Sequence, residues 1–173
     1  IDTIVTCDNG IAALEQVRLA KELGMTVIVT DHHEVVRAED GSQILPEADA
    51  VVNPHRDDCP YPFAGICGGV VAYKLVQVLY EQNRIPEQEW KDMLEFAAIA
   101  TVGDVMKLQD ENRIIVRWGL KQIPHTASAG LRALVEACGL DICNLTAYHI
   151  GFVIGPCLNA SGRLKTAQLA LEL

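Results

Sequence analysis

Asp31, His32 and His33 stand in a row directly after the apolar run Thr26-Val27-Ile28-Val29-Thr30, and Asp8 follows a second run, Ile4-Val5-Thr6-Cys7. Carboxylate oxygen and imidazole nitrogen together suit a divalent metal, and a metal held that way suits phosphate chemistry. A single Asp after a strand is ordinarily a turn former or a helix cap, and a single His a surface or packing residue. Three donors leaving one turn, with a fourth at the end of another apolar run, shift the reading to metal binding. Asp104 is a further candidate. It follows Gly103 and is flanked by apolar residues on both sides, so it is expected to be buried, where a carboxylate needs a partner and a cation is a good one.

These donors need elements to position them. Between the two apolar runs, Asn9-Gly10 turns the chain and residues 11–23 carry helical patterning, so the unit reads strand–helix–strand. Such units have parallel strands and a right-handed crossover, and ligands collect outside the strand carboxyl ends. Asp8 and residues 31–33 are therefore expected on one rim. A third strand, Ala50-Val51-Val52-Asn53, is closed by Pro54, and the Pro- and Asp-rich stretch 53–65 must be loop. Helices are expected over 70–80, 87–101, 111–123 and 131–138. Another is expected over 147–154, capped by Thr146, and a last one from near Gly162. Trp90 and Trp118 fall on helix stripes and read as core rather than as stacking surfaces. The fold class expected is α/β, a parallel sheet with helices on both faces and a helix-rich second half.

The chain has 173 residues, half of them hydrophobic, which fits one domain with a real core and excludes a disordered chain. No apolar run reaches the roughly 20 residues of a membrane helix, and the start shows no signal-peptide pattern. The chain opens on Ile1 almost within a strand and stops inside a helical pattern, which reads as a piece of a longer protein. The net charge of −9 weakly disfavours a nucleic-acid ligand, although a bound cation would invert the local field. The six cysteines form no Cys-x-x-Cys pair and read as buried reduced thiols of a cytoplasmic protein, with Cys7 facing the core.

Three segments then resemble a known family in order. Thr6-Cys7-Asp8-Asn9-Gly10, Asp31-His32-His33 and Thr101-Val102-Gly103-Asp104-Val105 are similar to motifs of the DHH phosphoesterase superfamily. A fourth, Gly155-Pro156-Cys157-Leu158-Asn159-Ala160-Ser161-Gly162-Arg163-Leu164, resembles the Gly-Pro-x-x-Asn-Ala-x-Gly-Arg pattern of the RecJ branch, the single-strand-specific DNA exonucleases. The loop from Asn53-Pro54 to Pro60 and the Gly68-Gly69 helix also look like that branch. The resemblance implies a metal-dependent 5′→3′ exonuclease that releases mononucleotides from single-stranded DNA in repair and recombination, with Mn²⁺ or Mg²⁺ as a two-metal cofactor. Asp8, His32 and Asp104 resemble metal ligands and His33 the residue at the scissile phosphate, with Asp31 orienting the imidazoles. Asn159 and Arg163 look like substrate contacts, Arg163 having a structural helix-end role as its rival.

By the same resemblance, residues 1–161 would be the catalytic core without its first motif, an Asp-x-Asp on an upstream strand. Residues 162–173 would begin a connecting helix to a second domain, and the piece alone would be inactive. Single-stranded DNA is the implied partner, with a single-strand-binding protein beside it and no membrane. Two departures stand out: Lys107 where the family often has Pro, and Cys157 where a basic residue is common. Rival readings are another phosphoesterase of the scaffold, acting on short oligonucleotides, cyclic dinucleotides or pyrophosphate, and a catalytically dead interaction module.

Overall fold

The computed structural model describes the backbone of residues 1–164 and the side chains of residues 1–160. Two compact units divide the chain, Ile1–Asn83 and Arg84–Leu173.

The first unit carries a three-stranded sheet, β1 (Thr3–Val5), β2 (Thr26–Thr30) and β3 (Ala50–Val52), in the order β1-β2-β3 and parallel throughout. Alternation along β2 puts Val27 and Val29 on one face. They pack with Val17 and Ala20 of α1 (Leu14–Glu22) into a small core that Ile4 and Val51 extend. Helix α1 begins three residues later than its apolar pattern suggests. The Ile11 N–H is taken by Asp31 Oδ2 at 2.9 Å and the Ala13 N–H by the Gly10 carbonyl, so the chain is held in a turn before it can wind. Its end is closed by Gly24 at φ +79, with Gly24 N–H on the Lys21 carbonyl and Met25 N–H on that of Ala20. Helix α2 (Gly68–Gln82) starts from the buried Ile66-Cys67 pair and buries Val70 and Val71.

The second unit is helical. The expected helix over 87–101 is two, α3 (Glu87–Lys91) and α4 (Leu94–Gly103), because Asp92 and Met93 make a turn between them. Helix α5 (Asp110–Gln122) buries Asn112, Ile115, Val116 and Gly119. Ile114 and Trp118 face outward instead, Trp118 being 53% exposed under the Lys121 ammonium at 4.4 Å. Trp118 is therefore not a core residue, whereas Trp90 is. The stripe that packs runs 112/115/116/119, and Gly119 is its tightest point. A Cβ built there would lie 2.3 Å from that of Ala98.

Helix α6 (Ala129–Ala137) is capped by the Ser128 hydroxyl, which accepts the Leu131 N–H at 3.0 Å. Thr146 and His149 form a capping box on the short α7 (Ala147–His149). The chain then continues without a break through a π-helical turn, Ile150–Ile154, into α8 (Gly155–Leu164). The last helix thus begins at Gly155 rather than near Gly162. Ile99, Ile123, Leu131, Val135, Ile150 and Ile154 form this unit's core. Of the six cysteines only Cys67 is buried, and Cys7 is exposed, contrary to the core-facing reading.

Candidate metal centre at the strand ends

Two threonines bring the ends of β1 and β2 together. Thr6 N–H reaches the Ile28 carbonyl at 2.9 Å, extending the ladder by one residue. The Thr30 N–H donates to Thr6 Oγ1 at 3.1 Å, the Thr30 hydroxyl to the Thr6 carbonyl at 2.6 Å, and the Thr6 hydroxyl to the Asn9 carbonyl at 2.5 Å. With those ends stapled, Asp8 and Asp31-His32-His33 leave the sheet side by side.

Asp8 adopts φ +59, a left-handed turn that an Asp tolerates better than most residues. Gly10 follows at φ +113, where a Cβ would press on Thr6 and Val29. The turn aims the Asp8 carboxylate at His32, whose Nε2 lies 3.1 Å from Asp8 Oδ1. The same carboxylate abuts the first residue of α2. A Cβ on Gly68 would sit 2.3 Å from Asp8 Oδ1, so only glycine lets the helix start this close. The amino end of a helix favours a carboxylate beside it.

Asp31 is the anchor of the site. It is 1% exposed, and its two oxygens accept from four sources: Ile11 N–H at 2.9 Å, His32 N–H at 2.8 Å, His33 N–H at 3.2 Å and His33 Nδ1 at 2.7 Å. Burial alone would raise its pKa. The Ile11 N–H, the His33 ring and the backbone N–H groups of His33 and His32 outweigh that, and hold the carboxyl below the usual carboxylate range. With its Nδ1 donating to Asp31, the His33 ring keeps Nε2 as an acceptor for a metal or a substrate proton. Behind it, Asn53 at the end of β3 is 2% exposed. Its Nδ2 donates to the His33 carbonyl at 2.9 Å while its Oδ1 accepts the His55 N–H at 2.7 Å. Asn53 is a positioning residue that the sequence reading named only as the end of a strand and the start of the loop after it. A polar side chain closing an apolar run just before a Pro was its visible signal.

Asp8, His32 and His33 each offer one ligand atom, all within 4.8 Å of one another, the spacing of donors around a single divalent ion. One carboxylate and two imidazoles suit Mn²⁺ as well as Mg²⁺. Beside Asp8, partial burial and the charges of Asp8 and Asp31 push the Cys7 thiol up. A separate groove of about 740 Å³ lies beside β3, lined by Val52, Tyr61, Ile66, Lys74 and Leu75, and none of the three donors reaches it.

The remaining sequence candidates belong to the second unit. Asp104 terminates α4 and is exposed rather than buried, because the helix ends there and Val105, at φ +56, turns the chain outward. Asn159 is exposed on α8, and the Arg163 side chain lies outside the described residues. Near the start of that helix Tyr148 and Phe152 stack with ring centroids 4.9 Å apart, 64% and 72% exposed. The sequence reading did not single them out, although an aromatic pair at i, i+4 in an apolar helix was the available signal.

Residues 2–101 match the DHH family, N-terminal domain. Over 98% of its length the chain is 40% identical to the single-stranded-DNA-specific exonuclease RecJ of Bacillus subtilis, covering 20% of that protein. It is 35% identical to RecJ of Escherichia coli over 98% of its length, covering 30% of that protein. Solved structures agree. An exonuclease RecJ bound to manganese superposes with a TM-score of 0.82 at 34% identity, over 98% of this chain and 40% of that one. RecJ of Thermus thermophilus in complex with Mn²⁺ gives 0.81 at 34% identity, over 99% of this chain and 24% of that one. The chain thus spans between a fifth and two fifths of the proteins it matches.

Proposed function

Because the chain belongs to the DHH family, we propose that the protein it represents is a Mn²⁺- or Mg²⁺-dependent 5′→3′ exonuclease, hydrolysing single-stranded DNA to mononucleotides in DNA repair and recombination. The single observation that carries this reading is the convergence of Asp8, His32 and His33 on a volume one ion fills. Identity of 34–40% to RecJ enzymes along nearly the whole chain supports it.

A divalent ion there would activate water, neutralise the phosphoryl oxygens and stabilise the leaving alkoxide. The chain's own residues do the rest. Asp8 and His32 would hold the ion, and by the family resemblance Asp104 would be a further ligand. Asp31 fixes the His33 ring in the tautomer that presents Nε2 to the scissile phosphate. Asn159 and Arg163 contact substrate, and the Tyr148–Phe152 stack offers a face on which a nucleobase can lie. Residues 1–161 then form the catalytic core, and 162–173 begin the connection to a second domain. No helix among the described residues is long and apolar enough to cross a membrane. A cytoplasmic enzyme working with a single-strand-binding protein is the setting we infer.

The test is incubation of the full-length protein with Mn²⁺ and a 5′-labelled single-stranded oligonucleotide. Labelled mononucleotide is the expected product, abolished by Asp8→Ala. Equal or faster turnover of dinucleotides or pyrophosphate would move the assignment to another phosphoesterase of the scaffold. Hydrolysis that survives Asp8→Ala would remove this centre from the reaction.

A further inference from the structure

Two thiols that no part of this mechanism uses face each other in the second unit. Cys138 Sγ lies 3.8 Å from Cys157 Sγ, across 19 positions of sequence. That is non-bonded contact, about 2 Å longer than a disulfide. Cys138 is the C-cap of α6 and precedes Gly139, which turns the chain at φ +66, so its side chain sits where a helix ends rather than within one. Cys157 occupies the first turn of α8, next to the π-helical segment, and is exposed, while Cys138 is half-buried.

We propose that Cys138 and Cys157 form a reversible disulfide, a redox modification site that ties the end of α6 to the first turn of α8. The co-reactant is a peroxide. Cys157, the accessible thiol, attacks the peroxide oxygen as its thiolate. The O–O bond breaks, and the sulfur becomes a sulfenic acid as the first water is released. Cys138 then attacks that sulfur, the S–O bond breaks, and hydroxide leaves to become the second water. Two thiols and one hydrogen peroxide thus give one disulfide and two waters, with both thiol protons ending in water. Burial, the hydrogen bond to Cys157 and its charge push the Cys138 thiol up, so its proton is given up in the second step, to the departing hydroxide. Cys143 is exposed in the turn between α6 and α7, where its N–H caps on Asp141, and serves as an internal control.

The experiment treats the full-length protein with hydrogen peroxide, alkylates the remaining thiols and digests it without reductant. A cross-linked peptide joining 138 to 157, lighter by two hydrogens than the separate peptides and lost on adding dithiothreitol, is the expected result, with Cys143 fully alkylated. Cys138→Ser should leave Cys157 as a sulfenic acid trapped by dimedone, and Cys157→Ser should leave Cys138 alkylated after peroxide. Alkylation of both 138 and 157 in the oxidised wild-type protein to the extent seen at 143, or a link of either to another cysteine, overturns the proposal.

Discussion

Asp31 shows how one buried side chain sets the geometry of several others. Four donors converge on it, and two of them belong to His33. Asp31→Asn replaces one oxygen by an N–H₂ group that must face a donor, so at least one hydrogen bond is lost and one buried group goes unsatisfied. Carboxylates that orient ligating imidazoles have effects on metal affinity of about 10–100-fold. The expected outcome is a weakening of that order in Mn²⁺ affinity, read by calorimetric titration of the full-length variant. A change in melting temperature with unaltered affinity would show that Asp31 serves the fold alone.

Glu95 is the second residue with a consequence of its own. It is 3% exposed; burial raises its carboxyl above the usual range, with Asp92 adding to that and the Thr126 hydroxyl and Arg132 opposing it. A folded-state pKa above the unfolded value means that the folded protein binds more protons between the two. Stability is then fully present below the unfolded carboxylate pKa and falls as pH rises through the folded one. Glu95→Gln removes the charge and keeps an oxygen for Thr126. The melting temperature of the variant relative to wild type should therefore rise from about pH 4 to about pH 8, and a difference independent of pH would contradict the assignment.

At the scale of elements, the contact between α2 and the β1 turn is the most sensitive. Helix α2 could not begin where it does with any side chain at Gly68, because the space is filled by Asp8. Gly68→Ala should displace the Asp8 carboxylate and lower Mn²⁺ affinity by roughly tenfold or more, in the range seen for disturbed ligand geometry. The fold should suffer less. Overpacking costs about 1–3 kcal/mol, and the better helix propensity of alanine offsets about 1 kcal/mol of it. Unchanged affinity would mean that Asp8 has another position from which to bind.

Element types were legible where local rules act alone. The strand over 26–30 is where its apolar run places it, since β-branched residues bounded by Gly-Met and Asp leave no alternative. One boundary moved through a tertiary partner and two through local turns. Asp31 captures the Ile11 N–H and delays α1, and the Met93 turn divides a stripe that looks continuous in projection. Helix α8 starts early because the π turn carries helical backbone through Gly155-Pro156, a pair that ordinarily marks a stop.

For the whole molecule, the ligand count makes its own prediction. Asp8, His32 and, by the resemblance, Asp104 leave an octahedral ion half coordinated, so the isolated 173 residues should take up Mn²⁺ weakly, at one site. Tight uptake of two ions in a titration would mean that further ligands lie within these residues. Asp104→Ala in the full-length protein should weaken Mn²⁺ binding as Asp8→Ala does, and unaltered binding would remove Asp104 from the ligand set.

The family, the parallel α/β scheme and the donors at the strand ends were all determined by sequence alone. Alternation, helical spacing and motif order are local properties of a chain, and a carboxylate ending a buried strand has few places to go. Burial and partnership were decided only by the tertiary structure. Nothing in the order of residues says that Trp118 faces water, that Asp104 is exposed at a helix end, that Asn53 reaches back to His33, or that Cys138 meets Cys157. Each depends on which face of an element another element covers, and that is set by side chains distant in sequence.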